Sequence, residues 1–191
     1  MRARAVVLVT LFFLGACAAH RDAASNSGTG GSGPVQQRER IAASHKKYID
    51  SELGFEVARP GADWQLDADA GTSSEGILIP VVLRHKDSGA QVVIQVAPAI
   101  ATPTQFAERL VSGLRNYEGF DATDPEPLPL SDDAVGFRFS IEQKVFGRIA
   151  VRPGGSDNVL MVVATWPADA SAGVTSEVEQ ILVSVRPVPA G

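Results

Sequence analysis

The sequence predicts an α+β domain in which an antiparallel β-sheet is covered by helices. Short β-rich segments follow one another with short turns, and only two segments show helical spacing between or after them. Runs of strands interrupted by few helices are typical of this fold class. The chain has 191 residues, which favours one domain plus additional segments over two domains. We expect this single domain to span residues 48–188.

The first half of the domain reads as short strands followed by a hairpin. Residues 53–57 alternate between apolar and polar side chains, and residues 64–66 form a second short extended piece. Residues 77–84 and 91–97 are rich in β-branched side chains and are separated by the polar turn Lys-Asp-Ser-Gly. Proline lacks a backbone N–H, so Pro80 indicates either an edge strand or a bulge.

A helix is predicted to begin after Thr102. Threonine suits the N-cap, a proline follows it, and Gln105 can complete a capping box. Apolar side chains recur at helical spacing from Phe106 to Tyr117, and Gly119 is expected to end the helix.

The second half of the domain begins with a loop or edge over residues 121–133, which are rich in proline and acid. Three strands joined by short turns should then form an antiparallel meander, at residues 135–142, 145–151 and 159–165. A last helix is predicted around residues 174–185, with Ser171 as its cap.

The first sixteen residues are typical of a secretory signal peptide. Arg2 and Arg4 precede a short apolar run, and Gly-Ala supplies small residues before Cys17. The apolar run is too short to span a bilayer, which needs about 20 residues. Leu-Gly-Ala-Cys at 14–17 also resembles the lipobox of bacterial lipoproteins. That resemblance implies cleavage after Ala16, a diacylglycerol on the Cys17 sulfur and usually a third acyl chain.

The alternative is a plain signal peptide followed by a chance cysteine, but Cys17 is the only cysteine and stands at the expected distance. Two or more acyl chains anchor a protein stably. The residue after Cys17 is Ala18 and not the aspartate that retains many lipoproteins in the inner membrane. We therefore expect a lipid-anchored protein of the cell envelope, at the outer membrane and facing the periplasm.

Residues 17–47 are predicted to be the lipidated cysteine and a flexible tether. Gly, Ser, Ala and Asn dominate its first half, and its typical reach is about 25–30 Å. Residues 35–50 look weakly helical and basic. This basic stretch is either a patch that settles on anionic lipid or a solvated helical lead-in, and the lack of an apolar stripe favours the lead-in.

The charge of the chain argues against a nucleic-acid partner. Its formal net charge is −5, and loss of Arg2 and Arg4 with the signal peptide makes it −7. Nucleic acids require a basic face. We expect no nucleic-acid binding.

The pattern of the domain resembles the PsbP-like fold, in particular its DcrB-like and LpqN-like bacterial lipoproteins. The resemblance rests on Leu-Gly-Phe at 53–55, Arg-Pro-Gly-Ala-Asp-Trp at 59–64, the helix at 106–110 and the order of the remaining elements over 48–187. It implies an α/β/α sandwich around an antiparallel sheet. It also implies binding, assembly or chaperone-like roles more often than catalysis, and supplies no catalytic residues.

No motif in the sequence supports an enzyme, a metal site or a cofactor. A Gly-x-Ser-x-Gly elbow, a His-Glu-x-x-His pair and a phosphate-binding loop are all absent from the sequence. His85 is the only histidine inside the domain, and its place at a hairpin end favours an exposed structural role over a general base. Trp64 is expected in the core, and Trp166 is expected to pack at a strand end.

The leading functional hypothesis is a non-enzymatic lipoprotein that binds or assembles an envelope protein partner. Loops commonly carry function, so the acidic loop 121–133 is the predicted partner-binding surface. Its acidic residues are Asp121, Asp124, Glu126, Asp132 and Asp133. These acids could also bind a cation such as calcium, but they lack a recognisable calcium-loop spacing, which favours a solvated acidic loop over a cation site. The alternative function is a carrier of a small apolar ligand or lipid, and hydrolase activity is the least favoured reading.

Overall fold

The computed structural model describes residues 47–72, 77–130, 133–155 and 157–188. The predicted signal peptide, the lipidation site Cys17, the tether up to residue 46 and the acidic residue Asp132 lie outside these described residues. The prediction of an antiparallel sheet with helices is confirmed. Two β-sheets dominate the structure, and one helix lies on each side of the larger sheet.

The larger sheet has eight strands. They are β3 (Trp64–Thr72), β4 (Leu78–His85), β5 (Gln91–Pro98), β6 (Phe120–Ala122), β7 (Glu126–Pro127), β8 (Val135–Ile141), β9 (Val145–Pro153) and β10 (Asn158–Pro167). Their order is β3-β4-β5-β10-β9-β8-β6, and β7 also pairs with β8. The predicted hairpin is β4–β5 and the predicted meander is β8–β9–β10. Antiparallel pairing of β5 with β10 joins these two units into one sheet.

The smaller sheet has three strands in the order β1-β2-β11. They are β1 (Lys47–Asp50), β2 (Phe55–Ala58) and β11 (Arg186–Pro187). The helical lead-in predicted over residues 35–50 is therefore wrong at its described end. Tyr48 and Asp50 are partly buried, whereas Lys47 and Ile49, which alternate with them, are exposed. The centroid of the Tyr48 ring lies 6.0 Å from that of the Phe55 ring. Burial of Tyr48 against β2 therefore outweighs the weak helical propensity of this segment.

The two helices are α1 (Pro103–Leu114) and α2 (Ala172–Ser184). The capping box of α1 is confirmed: Thr102 Oγ1 accepts from Gln105 N at 3.2 Å, and Gln105 Oε1 accepts from Thr102 N at 3.3 Å. The predicted extension of α1 to Tyr117 is wrong. The helix stops at Leu114, and Tyr117 is an exposed turn residue.

Pro80 lies where β4 is irregular. The register of β4 shifts between Leu78 and Val81 against β5, and β3 shifts between Ala68 and Gly71 on the other side. A bulge accommodates the missing N–H of proline. The alternative of an edge strand is wrong, because β4 lies between β3 and β5.

Apolar core clusters lie on both faces of the eight-stranded sheet, and the two larger ones lie under the helices. Helix α2 packs with Phe55, Trp64 and Leu160 on one face, and α1 packs with Phe137 and Phe139 on the other. Helix α2 contacts β2, β5 and β10, whereas α1 contacts β6, β8 and β9. Each helix thus covers only part of its face. The sheet dominates, and a full α/β/α sandwich is not formed by the described residues.

Candidate functional site

The four described acidic residues of the predicted partner-binding surface are spread along one edge of the large sheet. Asp121 lies on β6 and accepts from Gln143 Nε2 at 3.3 Å. Asp124 forms an exposed ion pair with Arg115, with 2.8 Å between Oδ1 and Nη2. Charged side chains along an edge discourage pairing with another strand. Some of these acidic side chains therefore protect the edge of the sheet against pairing with another strand.

The two remaining described acids of the loop are Glu126 and Asp133, both of which are exposed. Glu126 lies on β7, opposite Gly136, and Asp133 lies just before β8. Among the described residues no group of three or more His, Cys, Asp or Glu side chains is placed to hold a metal ion. The role of these acids in partner binding stays a prediction.

After β7 the chain turns over the sheet edge onto the α2 side. Leu128 N donates to Ala134 O at 2.8 Å and closes a small loop. The buried Leu128 packs over Gly136, where an added Cβ would lie 2.7 Å from Leu128 Cδ1 and 2.6 Å from Ile149 O. A side chain at residue 136 would therefore displace this loop from the sheet.

This loop and helix α2 enclose a groove on the sheet, which we call the α2 groove. Its volume is about 200 Å³. The walls and floor are formed by Leu128, Pro129, Leu130, Arg148, Ala150, Glu179, Leu182 and Val183. Val183 is 49% exposed although it is apolar, and Leu182 beside it is buried. The groove is thus a mostly apolar surface open to solvent.

One ion pair spans the α2 groove from β9 to α2. Arg148 Nη1 lies 2.6 Å from Glu179 Oε2, and the side chains are 18% and 43% exposed respectively. A half-buried, charge-assisted hydrogen bond of this length is stronger than a typical exposed ion pair. It places a guanidinium among leucine and valine side chains.

A second arginine stands directly opposite Arg148. Arg138 on β8 pairs in register with Arg148 on β9. Phe137 and Phe139 on either side of Arg138 belong to the core under α1, so the Arg138 side chain lies on the α2 side of the sheet. Arg138 is exposed and has no ion pair among the described residues. Within the described ranges, Arg138 is therefore a cation beside the groove without an ionic partner.

A different polar cluster lies at the hairpin end, where His85 was expected to be exposed. That expectation is wrong: its side chain is 11% exposed, because Trp64 and Glu177 close over it. His85 Nδ1 accepts from the backbone N–H groups of Asp87 and Ser88 at 3.3 and 3.2 Å. These bonds assign the ring proton to Nε2, which lies 4.0 Å from Glu177 Oε2. Nδ1 of His85 thus faces the backbone of the turn, and Nε2 faces the carboxylate of Glu177.

The expected positions of the two tryptophans are confirmed. Trp64 is fully buried, and Trp166 packs against the α2 core from the end of β10. Neither helix of the described ranges has the length and apolar composition needed to cross a membrane.

The sequence analysis missed the α2 groove and the opposed arginines. Arg138 and Arg148 stand at equal distances from the β8–β9 turn, so the register of this hairpin would have revealed their pairing. The turn contains Glu142 and Gln143 at positive φ, which are residue types that rarely mark such a turn. The groove depends on contacts between distant segments and has no local signal.

Comparison with known proteins finds similarity in fold to solved structures. No family model matches the chain, and no curated protein matches it. Among solved structures, it is similar to the solution structure of cyanobacterial PsbP (CyanoP) from Synechocystis sp. PCC 6803, at 18% identity and a TM-score of 0.50, covering 84% of this chain and 98% of that one. It is also similar to a mutant of the protein Mog1, at 7% identity and a TM-score of 0.45, covering 71% and 92% respectively.

At this level of identity the similarity to CyanoP shows the fold alone. The chain has a PsbP-like fold, which confirms the fold named by the sequence resemblance.

Proposed function

We propose that this protein is a non-enzymatic lipoprotein of the cell envelope that binds a partner protein as an assembly or chaperone-like accessory module. Within the PsbP-like fold we place it with the DcrB-like and LpqN-like bacterial lipoproteins. Lipid on Cys17 would hold it at the outer membrane, facing the periplasm. The observation that carries the binding role is the α2 groove, an open apolar surface with a charged pair across it.

The dimensions of the groove favour a protein segment over a carried lipid. Pockets for small molecules usually measure about 300–1,000 Å³ and enclose most of the ligand. The α2 groove has about 200 Å³ and opens beside the exposed side chains of Pro129 and Val183. Such a volume accommodates one or two side chains of a partner, with the remaining contacts made on the rim.

Partner binding is tested by a photo-crosslinking residue at Val183 in intact cells, with the same residue at Arg109 as control. Val183 lines the α2 groove, and Arg109 is exposed on α1 on the other side of the sheet. We expect one envelope protein to be captured in near-equal amount from residue 183 only. The same products from both positions would contradict a specific groove, and capture of lipid alone would favour the carrier function.

The anchor is tested by fractionating cells that express Cys17→Ser, with Ala18→Ser as the matched control. Serine cannot carry the thioether-linked lipid, so C17S should leave the membrane fraction while A18S remains in it. Recovery of the wild type and of A18S in the soluble fraction would contradict the lipid anchor and support the plain signal peptide.

A further inference from the structure

The direct opposition of Arg138 and Arg148 is unfavourable unless something neutralises it. Side chains directly opposite on antiparallel strands have Cβ atoms about 4.5–5.5 Å apart, and like charges there are destabilising. Glu179 pairs with Arg148 at 2.6 Å. Arg138, next to the α2 groove, has no ion-pair partner in the part of the chain that the structure describes. A residue pair that costs stability is expected at a functional site.

Two acids share this face of the sheet with Arg138, and neither pairs with it. Asp121 stands opposite Ser140 and is held by the amide of Gln143 at 3.3 Å. Glu126 stands opposite Gly136, at the level where the loop crosses the edge. The ion pairs within 4.0 Å among the described residues do not include Arg138. As far as the described residues go, the guanidinium of Arg138 is therefore open to a carboxylate from another molecule.

We propose that the α2 groove binds the C-terminus of a partner protein, with an apolar last side chain in the groove and the free carboxylate on Arg138. This inference rests on the proposed function and names the chemistry of the partner. Arginine binds carboxylates through two parallel hydrogen bonds. The carboxylate would also approach Arg148, which already lines the groove.

The spacing favours a chain terminus over an acidic side chain. At a C-terminus the apolar side chain and the carboxylate leave the same Cα, so they lie only a few ångströms apart. Arg138 lies one strand beyond Arg148, and neighbouring strands are about 4.8 Å apart. The backbone of Arg138 thus lies one strand spacing from that of Arg148 in the groove wall, so an arginine side chain at residue 138 is long enough to reach a carboxylate at the rim of the groove. Capture of a C-terminal carboxylate is a known mode of peptide recognition.

The test compares acetyl-Ala-Ala-Leu-Val bearing a free carboxylate with the same peptide as a carboxamide. Binding to the full chain in lipid nanodiscs is measured by calorimetric titration, and methyl NMR of Leu130, Leu182 and Val183 locates it. We expect the acid to bind in the groove at least tenfold more tightly than the amide. Arg138→Ala should remove that difference.

The matched control is Arg84→Ala, which removes an exposed arginine from β4 at the distant end of the same sheet. Its affinity for the acid peptide should equal that of the wild type. R138A should unfold at no lower urea concentration than the wild type, because it removes a repulsion. Weaker peptide binding without loss of stability separates a binding role from a structural one.

Three results would overturn the inference. They are equal affinity for acid and amide, absence of binding of both peptides in the groove, and preferential binding of decanoate over the acid peptide. Each leaves the Val183 crosslinking experiment as an independent test of the proposed function. Conversely, carboxylate-dependent binding combined with no protein captured at residue 183 would contradict the proposed function and leave the recognition chemistry intact.

Discussion

The indole of Trp64 is bound to the carboxylate of Glu177, with 2.8 Å between Nε1 and Oε2. Trp64 begins β3 and is fully buried, whereas Glu177 lies on α2, 113 residues later. The His85 ring stands edge-on to the indole at 5.4 Å between ring centroids. This contact holds α2 in position on the sheet, and α2 forms one wall of the groove.

We predict that Glu177→Ala lowers the free energy of unfolding by about 1–3 kcal/mol, because a buried indole N–H loses its acceptor. Glu177→Gln keeps an acceptor oxygen and should cost less. Urea unfolding followed by tryptophan fluorescence measures both. Gln180→Ala, an exposed change on the same helix, is the control. Equal stability of E177A and Q180A would contradict the prediction.

Features of the fold that depend on residues close together in the chain were predictable from the sequence. The Thr102 capping box and the β4–β5 hairpin are both confirmed, since caps and tight turns act over a few residues. The pairing of β5 with β10 was not predicted, because their alternating patterns fit several partners equally well. Fold class was therefore predictable, whereas strand order was not.

The candidate site was less predictable than the fold. The acidic loop was correctly placed at an edge, but its apolar residues Leu128 and Leu130 form the groove wall. Their position depends on Gly136 leaving space beneath Leu128, a contact between two chain segments. His85 was assigned to the surface because the hairpin pattern does not contain the helix that covers it.

Gly147 lies where β9 packs closely against its two neighbouring strands. An added Cβ would lie 2.7 Å from Ala164 O and closer still to the ring of Phe139 on β8. We predict that Gly147→Ala lowers the free energy of unfolding by about 1–3 kcal/mol through overpacking. Gly113→Ala is the control, because no atom of the described ranges lies within 4 Å of its added Cβ in α1. It should raise stability by about 0.5–1 kcal/mol. Similar effects of both changes in urea unfolding would refute this account of Gly147.

Arg152 is a buried cation on β9 whose guanidinium contacts the end of α2. Its Nη1 donates to Val185 O at 2.6 Å, while Nε has no hydrogen-bond partner among the described residues. Burial, and secondarily the charge of Arg186, lower the pKa of Arg152 from its usual value. The folded state therefore disfavours the charged form, so the charge costs stability at neutral pH, and this cost is relieved only as pH rises through the lowered pKa towards the ordinary value of the unfolded chain.

We predict that Arg152→Met stays within about 1 kcal/mol of the wild type or exceeds it, because buried charges are often replaceable by apolar residues of similar size. Arg152→Ala should be less stable than R152M by about 2–5 kcal/mol, since it leaves a cavity. Thermal unfolding at neutral pH compares the two. A large loss of stability in R152M would show that the bond to Val185 O outweighs the cost of burying the charge.

The acidic edge is tested by the triple change Asp121→Asn, Asp124→Asn and Glu126→Gln. All three side chains are exposed, so each change should alter stability by less than about 0.5 kcal/mol. If these acids bind the partner, the triple variant should reduce its capture by the crosslinker at Val183. The remaining capture should depend less on salt, because exposed charges are screened.

The matched control neutralises three exposed acids elsewhere, with Glu52→Gln, Asp63→Asn and Asp169→Asn. It changes the net charge equally and should leave capture unchanged. Unfolding of the edge variant would show that the acids are structural. If capture and its salt dependence are both unchanged, the three acids of the edge serve only to protect the edge of the sheet. The groove alone would then select the partner.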